Sequence, residues 1–393
     1  MSEAAGKTRR LETFPSWRSL LTRGFWAGLL LLFTAGSALA EIKLDEVGKL
    51  GLYGDFRFRF EDDFDSERSS GAERVDRQRL RIRGRIGFNY RPAPLFSVGV
   101  RFRTGAWESQ QSPHITIHDF EGNSKGPRDF LLDKYFLQIK GERSSAWFGR
   151  NSYPFWKQNE LFWDDDVTVA GFTGRHNFKP EDAELSLIGG FYFNADGMDH
   201  FIGNMVAGQV VYGRKRNGTN FNVATGLFFL LGEEGARNLL DGNGARDYYL
   251  WTGDLQAKFA TRIPITLGLD LAYNLKSYSS DDPDPFTAAN HDQKTGAVAS
   301  VLLGNASKPG GFMVGYYYAW IETFSVHASY AEDDWIRFGN QTQTAASDFQ
   351  GHEIRGGYAP MKNMLLLARL YIVDAITTVQ DGSRFRFDFN YKF

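Results

Sequence analysis

The chain has 393 residues and a formal net charge of −2, from 45 Lys and Arg against 47 Asp and Glu. It has no cysteine, which excludes disulfides and thiolate metal sites. The length admits two or three ordinary domains or one large barrel. Mean hydropathy is −0.37, a soluble value on its face, yet also the value of a membrane β-barrel, in which only half of each strand meets lipid. An aromatic content of 15% with 42 glycines suits a sheet with aromatic girdles and tight bends.

Residues 1–40 have the form of an export leader. Lys7, Arg9, Arg10, Arg18 and Arg23 form a basic start, Phe25 to Ala35 an apolar run, and Ala38-Leu39-Ala40 a small-x-small cleavage site before Glu41. The apolar run is short of the roughly 20 residues a spanning helix needs. Cleavage leaves residues 41–393 with a net charge of about −5 by sequence count. Arg9-Arg10 invites a twin-arginine assignment, but a barrel crosses the inner membrane unfolded, which favours the general export route.

The first predicted strand alternates Leu50, Leu52, Phe56, Phe58 and Phe60 with Tyr53, Asp55, Arg57, Arg59 and Glu61. Strand side chains alternate faces with period two, so one wall is apolar and the other polar. The second strand places Leu80, Ile82, Ile86 and Phe88 opposite Arg79, Arg81, Arg83 and Arg85. The third places Phe96, Val98, Val100 and Phe102 opposite Ser97, Gly99, Arg101 and Arg103. Alternation continues through Leu185–Asn194, Val206–Tyr212, Phe221–Leu231, Tyr249–Phe259, Leu267–Leu275, Ala297–Leu303 and Phe312–Trp320. Leu365 to Val373 is apolar on both faces and fixes no register. The last strand alternates Phe385, Phe387, Phe389, Tyr391 and Phe393 with Arg384, Arg386, Asp388, Asn390 and Lys392.

First and last strands that match in this way are what closure into a barrel requires, because pairing them removes both edges. Short turns are expected at 91–94, 141–144, 179–182, 215–218, 261–264, 307–310 and 359–362, most of them marked by Pro or Asn-Gly. Seven turns divide the exported chain into eight strand–loop–strand segments. Long loops centre near 61–74, 107–127, 152–166, 195–202, 232–246, 278–293, 332–348 and 375–382. The expected fold is all-β: a transmembrane antiparallel up-and-down barrel of about 16 strands around a water-filled lumen.

If the sixteenth strand pairs with the first, Arg57, Arg59, Arg79, Arg81, Arg83, Arg85, Arg101, Arg103, Arg384 and Arg386 form one inward basic wall. Such a density of like charge needs water, carboxylates or bound anions. Two arrangements stay open: a charged channel wall, or a packed interior in which Asp55, Glu61, Asp388 and loop acids neutralise the arginines. A nucleic-acid surface would also want arginines, but it would not explain the alternating aromatics.

The third long loop carries Tyr153, Phe155, Trp156, Phe162 and Trp163 and ends in Asp164-Asp165-Asp166. That many aromatics do not suit a solvated loop, so it is expected to pack on something and to narrow the lumen. Its acids would face the arginines across a transverse field, or else begin a strand or bind a divalent ion at the rim. Glu61 to Asp65 and Asp281 to Asp284 are expected in solvated loops without calcium-loop spacing. No metal or cofactor is expected. Among the seven histidines only His114 and His118 are four apart, and they follow Pro113 in a loop. No nucleophile elbow or phosphate loop is present, so no enzyme is expected, although a hydrolase assembled from separate strands stays open.

The stretches Tyr53 to Phe60, Asp76 to Arg85, Gly149 to Phe155, Glu160 to Asp166, Gln350 to Glu353 and Phe387 to Phe393 together resemble the putative porin family of Gram-negative outer-membrane barrels. The resemblance spans nearly the whole exported chain. It implies a passive outer-membrane channel for small hydrophilic solutes, in contact with lipid, and by analogy with sixteen-stranded porins a homotrimer. The arginines add an anion preference. A dedicated channel for an acidic polysaccharide, and a plugged barrel serving as enzyme or adhesin, are the alternatives.

Overall fold

Alternation along the chain is realised as strand after strand, each with an apolar outer face, and with an inner face that is charged in some strands and apolar in others. The computed structural model describes residues 42–45, 49–195, 197–198, 200–233, 246–337 and 343–393. The leader assigned to 1–40 lies outside the described residues, as do parts of the loops expected at 232–246 and 332–348.

Among the described residues sixteen long strands follow one another: β1 Leu50–Phe64, β2 Arg77–Ala93, β3 Phe96–Gly105, β4 Asp129–Lys140, β5 Ser144–Ser152, β6 Thr168–Phe178, β7 Ala183–Ala195, β8 Phe201–Arg216, β9 Thr219–Gly232, β10 Tyr248–Phe259, β11 Ile265–Asn274, β12 Thr295–Gly304, β13 Phe312–Ile321, β14 Phe349–Tyr358, β15 Met364–Ala375 and β16 Asp381–Lys392. Each pairs antiparallel with the next, and β16 pairs with β1 from Ser383↔Phe64 to Lys392↔Asp55. The sheet is therefore closed and leaves no long edge. Two short segments lie beside it: Ile42–Lys43 on β1 and Ile115–Asp119 on the far end of β2.

All seven expected short turns fall at one end. Two of them, Pro94-Leu95 and Asn217-Gly218, are two-residue turns; the second, between β8 and β9, has φ of 49° and 77°, the left-handed pair such a hairpin favours. In bacterial barrels this end faces the periplasm. The remaining eight connections, L1 to L8, join the strands at the other end and cover 65–76, 106–128, 153–167, 196–200, 233–247, 275–294, 322–348 and 376–380, most of them longer than the turns.

Burial is inverted relative to a soluble protein. Phe58, Phe148 and Val314 on the outer face are 36%, 68% and 50% exposed, whereas Arg59, Glu61 and Asp388 are 0% exposed on the inner face. This suits a wall that meets hydrocarbon outside and polar groups inside. In β15 the undecided register resolves with Leu367, Arg369, Tyr371 and Val373 inward. The fifth, sixth and fourteenth strands, weakly patterned in sequence, are continuous in the ladder.

L3 and the described residues of L7 fold into the barrel, packing their aromatic and aliphatic side chains against the inner faces of β5 to β15. Trp163 stacks on Tyr153 at 4.6 Å and packs against Phe228 of β9 and Tyr330 of L7. Gln209 of β8 grips the L3 backbone: Trp156 N–H donates to its Oε1 (2.7 Å) and its Nε2 donates to the Trp156 carbonyl (2.8 Å). Asp164 N–H donates to the Tyr330 carbonyl (2.8 Å), joining L3 to L7. L2 joins them, with Gln110 Nε2 donating to the carbonyls of Ala195 and Ser329.

Candidate functional site: the arginine strands

The closure seam positions the arginines. β16, β1, β2 and β3 are neighbours, and period-two alternation turns all ten predicted arginines to the inner face. They meet carboxylates in tiers. Nearest the long loops, Asp63 accepts from Arg384 and Arg79 (3.1 Å to the latter) and lies 3.4 Å from Arg337 of L7. In the middle tier, Glu61 accepts from Arg386 (2.9 Å) and Arg79, with Arg81 at 3.5 Å. Asp388 accepts twice from Arg59 (2.7 and 3.1 Å). Asp334 of L7 pairs with Arg386 and lies 3.6 Å from Arg59.

The tier nearest the short turns is the one L3 reaches. Asp55 accepts from Arg83 (2.8 Å) and Arg85 (2.6 Å), and Asp166 accepts from the same two guanidiniums (2.9 and 2.8 Å). Burial would raise Asp166, but Arg83 and Arg85 outweigh it and hold its carboxyl well below the usual range. Arg101 pairs with Asp133 of β4 (2.5 Å). Arg103 donates to the backbone carbonyls of Gln110 and Ser109. Arg57 donates to the Asn390 amide oxygen (2.6 Å) and has no carboxylate partner among the described residues.

Below L3 a cavity of about 400 Å³ opens toward the short-turn end. Its charged lining is Arg57, Arg83, Arg85, Arg369 and Lys392 against Asp55, Asp165 and Asp166, so cations outnumber acids.

Two sequence expectations need correction. Glu61 and Asp63 are not in a solvated loop: β1 continues to Phe64, and both are buried counterions on which Arg79, Arg81, Arg337, Arg384 and Arg386 converge. Nor does the acidic triple face the arginines together. Asp166 does, but Asp165 turns to Lys157 (2.6 Å). Asp164 turns toward L7, where burial and the neighbouring Asp166 and Asp334 raise its carboxyl well above the usual range. Successive residues in a tight loop cannot point the same way, and Asp166 N–H donating to Asp164 Oδ1 (2.5 Å) marks the reversal. Of the other L3 candidates, Tyr153 and Phe155 lie in the aromatic cluster and Trp156 is held by Gln209.

Sequence reasoning missed Asp334 and Glu332 of L7 and Arg369 of β15. Burial holds Glu332 well above the usual range, helped by Glu160 and Asp334. Arg369 lies 3.5 Å from Glu160 and 3.8 Å from Glu353. The signal was available: Glu332-Asp333-Asp334-Trp335 repeats the aromatic-plus-acid character that marked L3.

The sequence model of the family described as "Putative porin" matches residues 67–274, more than half of the chain. No curated protein sequence matches. Among solved structures, OprB of Pseudomonas putida superposes with a TM-score of 0.55 at 10% identity, over 88% of this chain and 94% of that one. OmpF of Salmonella typhi, in complex with daunomycin, superposes at 0.52 and 12% identity, over 88% and 97%. At these identities the likeness is one of fold. The closed sixteen-stranded barrel and the family match lead to one conclusion: the chain belongs to the putative porin family, a porin channel of the bacterial outer membrane.

Proposed function

We propose that the protein is a passive, non-enzymatic diffusion channel that favours small anionic solutes over cations, with its path running eccentrically beside β16, β1, β2 and β3. One observation carries this reading: the cavity below L3 is ringed by five cationic side chains against three acids, and Arg57 among them has no carboxylate partner among the described residues. Charge fixed on the wall of a narrow path sorts ions by sign. Packing of L3 and L7 supports an off-centre path, because it fills the lumen beside β5 to β15 with aromatic and aliphatic side chains and leaves the cavity below L3 next to the arginines. L3 is the constriction on this reading, through Asp166 facing Arg83 and Arg85. Tyr153, Phe155, Trp156, Asp164 and Asp165 hold the loop in place. Residues 1–40 act as the export leader, and the barrel of residues 41–393 sits in lipid, assembling as a homotrimer.

The test is reconstitution of the refolded chain, without residues 1–40, in a planar bilayer under a salt gradient. A steady conductance with a reversal potential toward chloride is expected. A cation-selective current would move the filter to Asp165 and Asp166, and a folded barrel without conductance would overturn the channel reading. Crosslinking in mild detergent reads the trimer.

A further inference from the structure

Below L3 the wall changes character within four strands. One inner-face row runs Arg83, Arg57, Asn390 and Leu365 across β2, β1, β16 and β15, paired directly at each step. It passes from two guanidiniums through an amide to an aliphatic side chain. The next inner row toward the long loops ends alike, in Arg59, Asp388 and Leu367. Met361, in the short turn before β15, joins Leu365 and Leu367 in lining the cavity of about 400 Å³. That cavity is therefore cationic on one flank and apolar on the other. Its volume falls within the range of about 300 to 1,000 Å³ usual for small-molecule sites.

The cations differ in what they have left to donate. Arg83 and Arg85 are each committed to Asp55 and Asp166. Arg369 lies by Glu160 and Glu353. Arg57 is only half committed. Its Nε donates to the Asn390 amide oxygen (2.6 Å), and the Asn390 amide nitrogen donates to the Leu365 carbonyl (3.4 Å). One edge of the guanidinium is thus fixed to the wall, while its two terminal nitrogens have no hydrogen-bond partner among the described residues. A positioned guanidinium with a free fork is the geometry that takes a carboxylate through two parallel hydrogen bonds. Neighbouring strands lie about 4.8 Å apart, so two steps put the Leu365 backbone about 10 Å from that of Arg57. A solute that uses both flanks has one charged end and one apolar end. Inorganic anions and sugar acids would satisfy the guanidinium and leave the aliphatic flank against water.

We propose that this cavity is a binding subsite for monocarboxylates with an apolar body, such as benzoate, the carboxylate on Arg57 and the ring against Leu365, Leu367 and Met361. Its part in transport rests on the channel reading given above; the binding itself does not.

The test places the whole refolded barrel in a planar bilayer and adds benzoate to a potassium chloride current. Acetate keeps only the charged end and benzyl alcohol only the ring. Benzoate should lower the current saturably, at a half-blocking concentration at least about tenfold below that of acetate. Benzyl alcohol should leave the current unchanged. Arg57→Gln should raise the half-blocking benzoate concentration at least about tenfold, since it removes a charged pair of donors. Leu365→Gln should erase most of the advantage of benzoate over acetate. Should that variant fail to migrate as a folded barrel, Met361→Ala, in the turn, should narrow the same ratio. Binding is also read without current, from the fluorine line broadening of 4-fluorobenzoate on the barrel in detergent, with Arg57→Gln supplying the background. An open channel that benzoate and acetate block alike would overturn the proposal and keep the channel. Equal broadening in the wild type and Arg57→Gln would overturn it too. A barrel that conducts nothing yet broadens 4-fluorobenzoate through Arg57 would sink the channel reading and retain the site.

Discussion

Replacing Asp166 with asparagine removes the one carboxylate that L3 holds against Arg83 and Arg85. Taken as a sphere, the adjacent cavity of about 400 Å³ has a radius of about 5 Å. An ion at its centre would then lie about 6 Å from the lost charge, an interaction of about 0.7 kcal/mol at the dielectric of water. A Debye length of about 10 Å at 0.1 M salt roughly halves it. The change has opposite sign for chloride and potassium, so their permeability ratio moves by about 0.8 to 1.4 kcal/mol, about four- to tenfold toward chloride. Folding should survive, because Asp55 still accepts from both guanidiniums. The reversal potential of the Asp166→Asn channel under a potassium chloride gradient measures the shift, and heat-modifiable gel migration checks the fold. An unchanged potential, or a move toward potassium, would show that permeating ions do not pass Arg83 and Arg85, and the eccentric path would fail.

Arg57→Gln should lower the chloride preference by a similar factor with an unchanged urea midpoint, since Arg57 neutralises no carboxylate among the described residues. Arg386→Ala is different: it removes a buried guanidinium from Glu61, which keeps Arg79 and Arg81, and from Asp334, which keeps Arg59 at 3.6 Å. It should lower unfolding stability by about 1 to 3 kcal/mol, read by urea titration in lipid. Phe58 and Phe389 face each other across the seam on the lipid side. An aspartate at either should cost roughly 2 kcal/mol of insertion and reduce the heat-modifiable band in outer membranes; normal assembly would mean the faces are inverted. In the loops, Asp164 and Glu332 have raised carboxyl values, so the packed state holds protons the opened state releases. Their contribution to L3–L7 packing is therefore complete at acid pH and falls as pH rises from the ordinary carboxylate range through the raised values. Asp166 and Asp334 have lowered values and contribute the opposite slope, lost only in strong acid. Protection of the Asp164 amide, taken relative to the intrinsic rise of exchange with pH, should fall as pH rises above the ordinary carboxylate range, and a gain in protection would refute the assignment.

The barrel was legible because period-two alternation is a local property. Phe385 to Phe393 and Leu50 to Phe60 each declare a lipid face without reference to anything distant, and Pro or Asn-Gly declares a turn from two residues. Partners were not legible, because alternation says which face a side chain takes and nothing of what lies across the lumen. Arg59 and Arg386 could be placed inward, but that Asp334 meets them, from a loop more than 250 positions from Arg59, is written in no local pattern.

The same limit explains the strand that resisted assignment. Apolar residues on both faces of β15 break the binary pattern only if the inner face is assumed to meet water. It meets protein: Trp335 of L7 packs against Tyr371 at 5.5 Å. Likewise Met205 of β8, Phe228 and Leu230 of β9, and Tyr248 and Leu250 of β10 are inward, apolar and buried in the cluster formed with L3 and L7. Around the ring, then, strands with charged inner faces (β16, β1, β2, β3) alternate strongly with aromatics and receive the acids Asp166 and Asp334 of L3 and L7, whereas strands with apolar inner faces receive the aromatic parts of the same loops. Inner-face polarity is a map of loop placement, available from sequence once the register is known. In such a map the row Arg83, Arg57, Asn390, Leu365 is the border between the two kinds of wall, and the cavity below L3 lies on it. A solute held there meets guanidinium on one flank and aliphatic side chains on the other, which neither kind of wall offers alone.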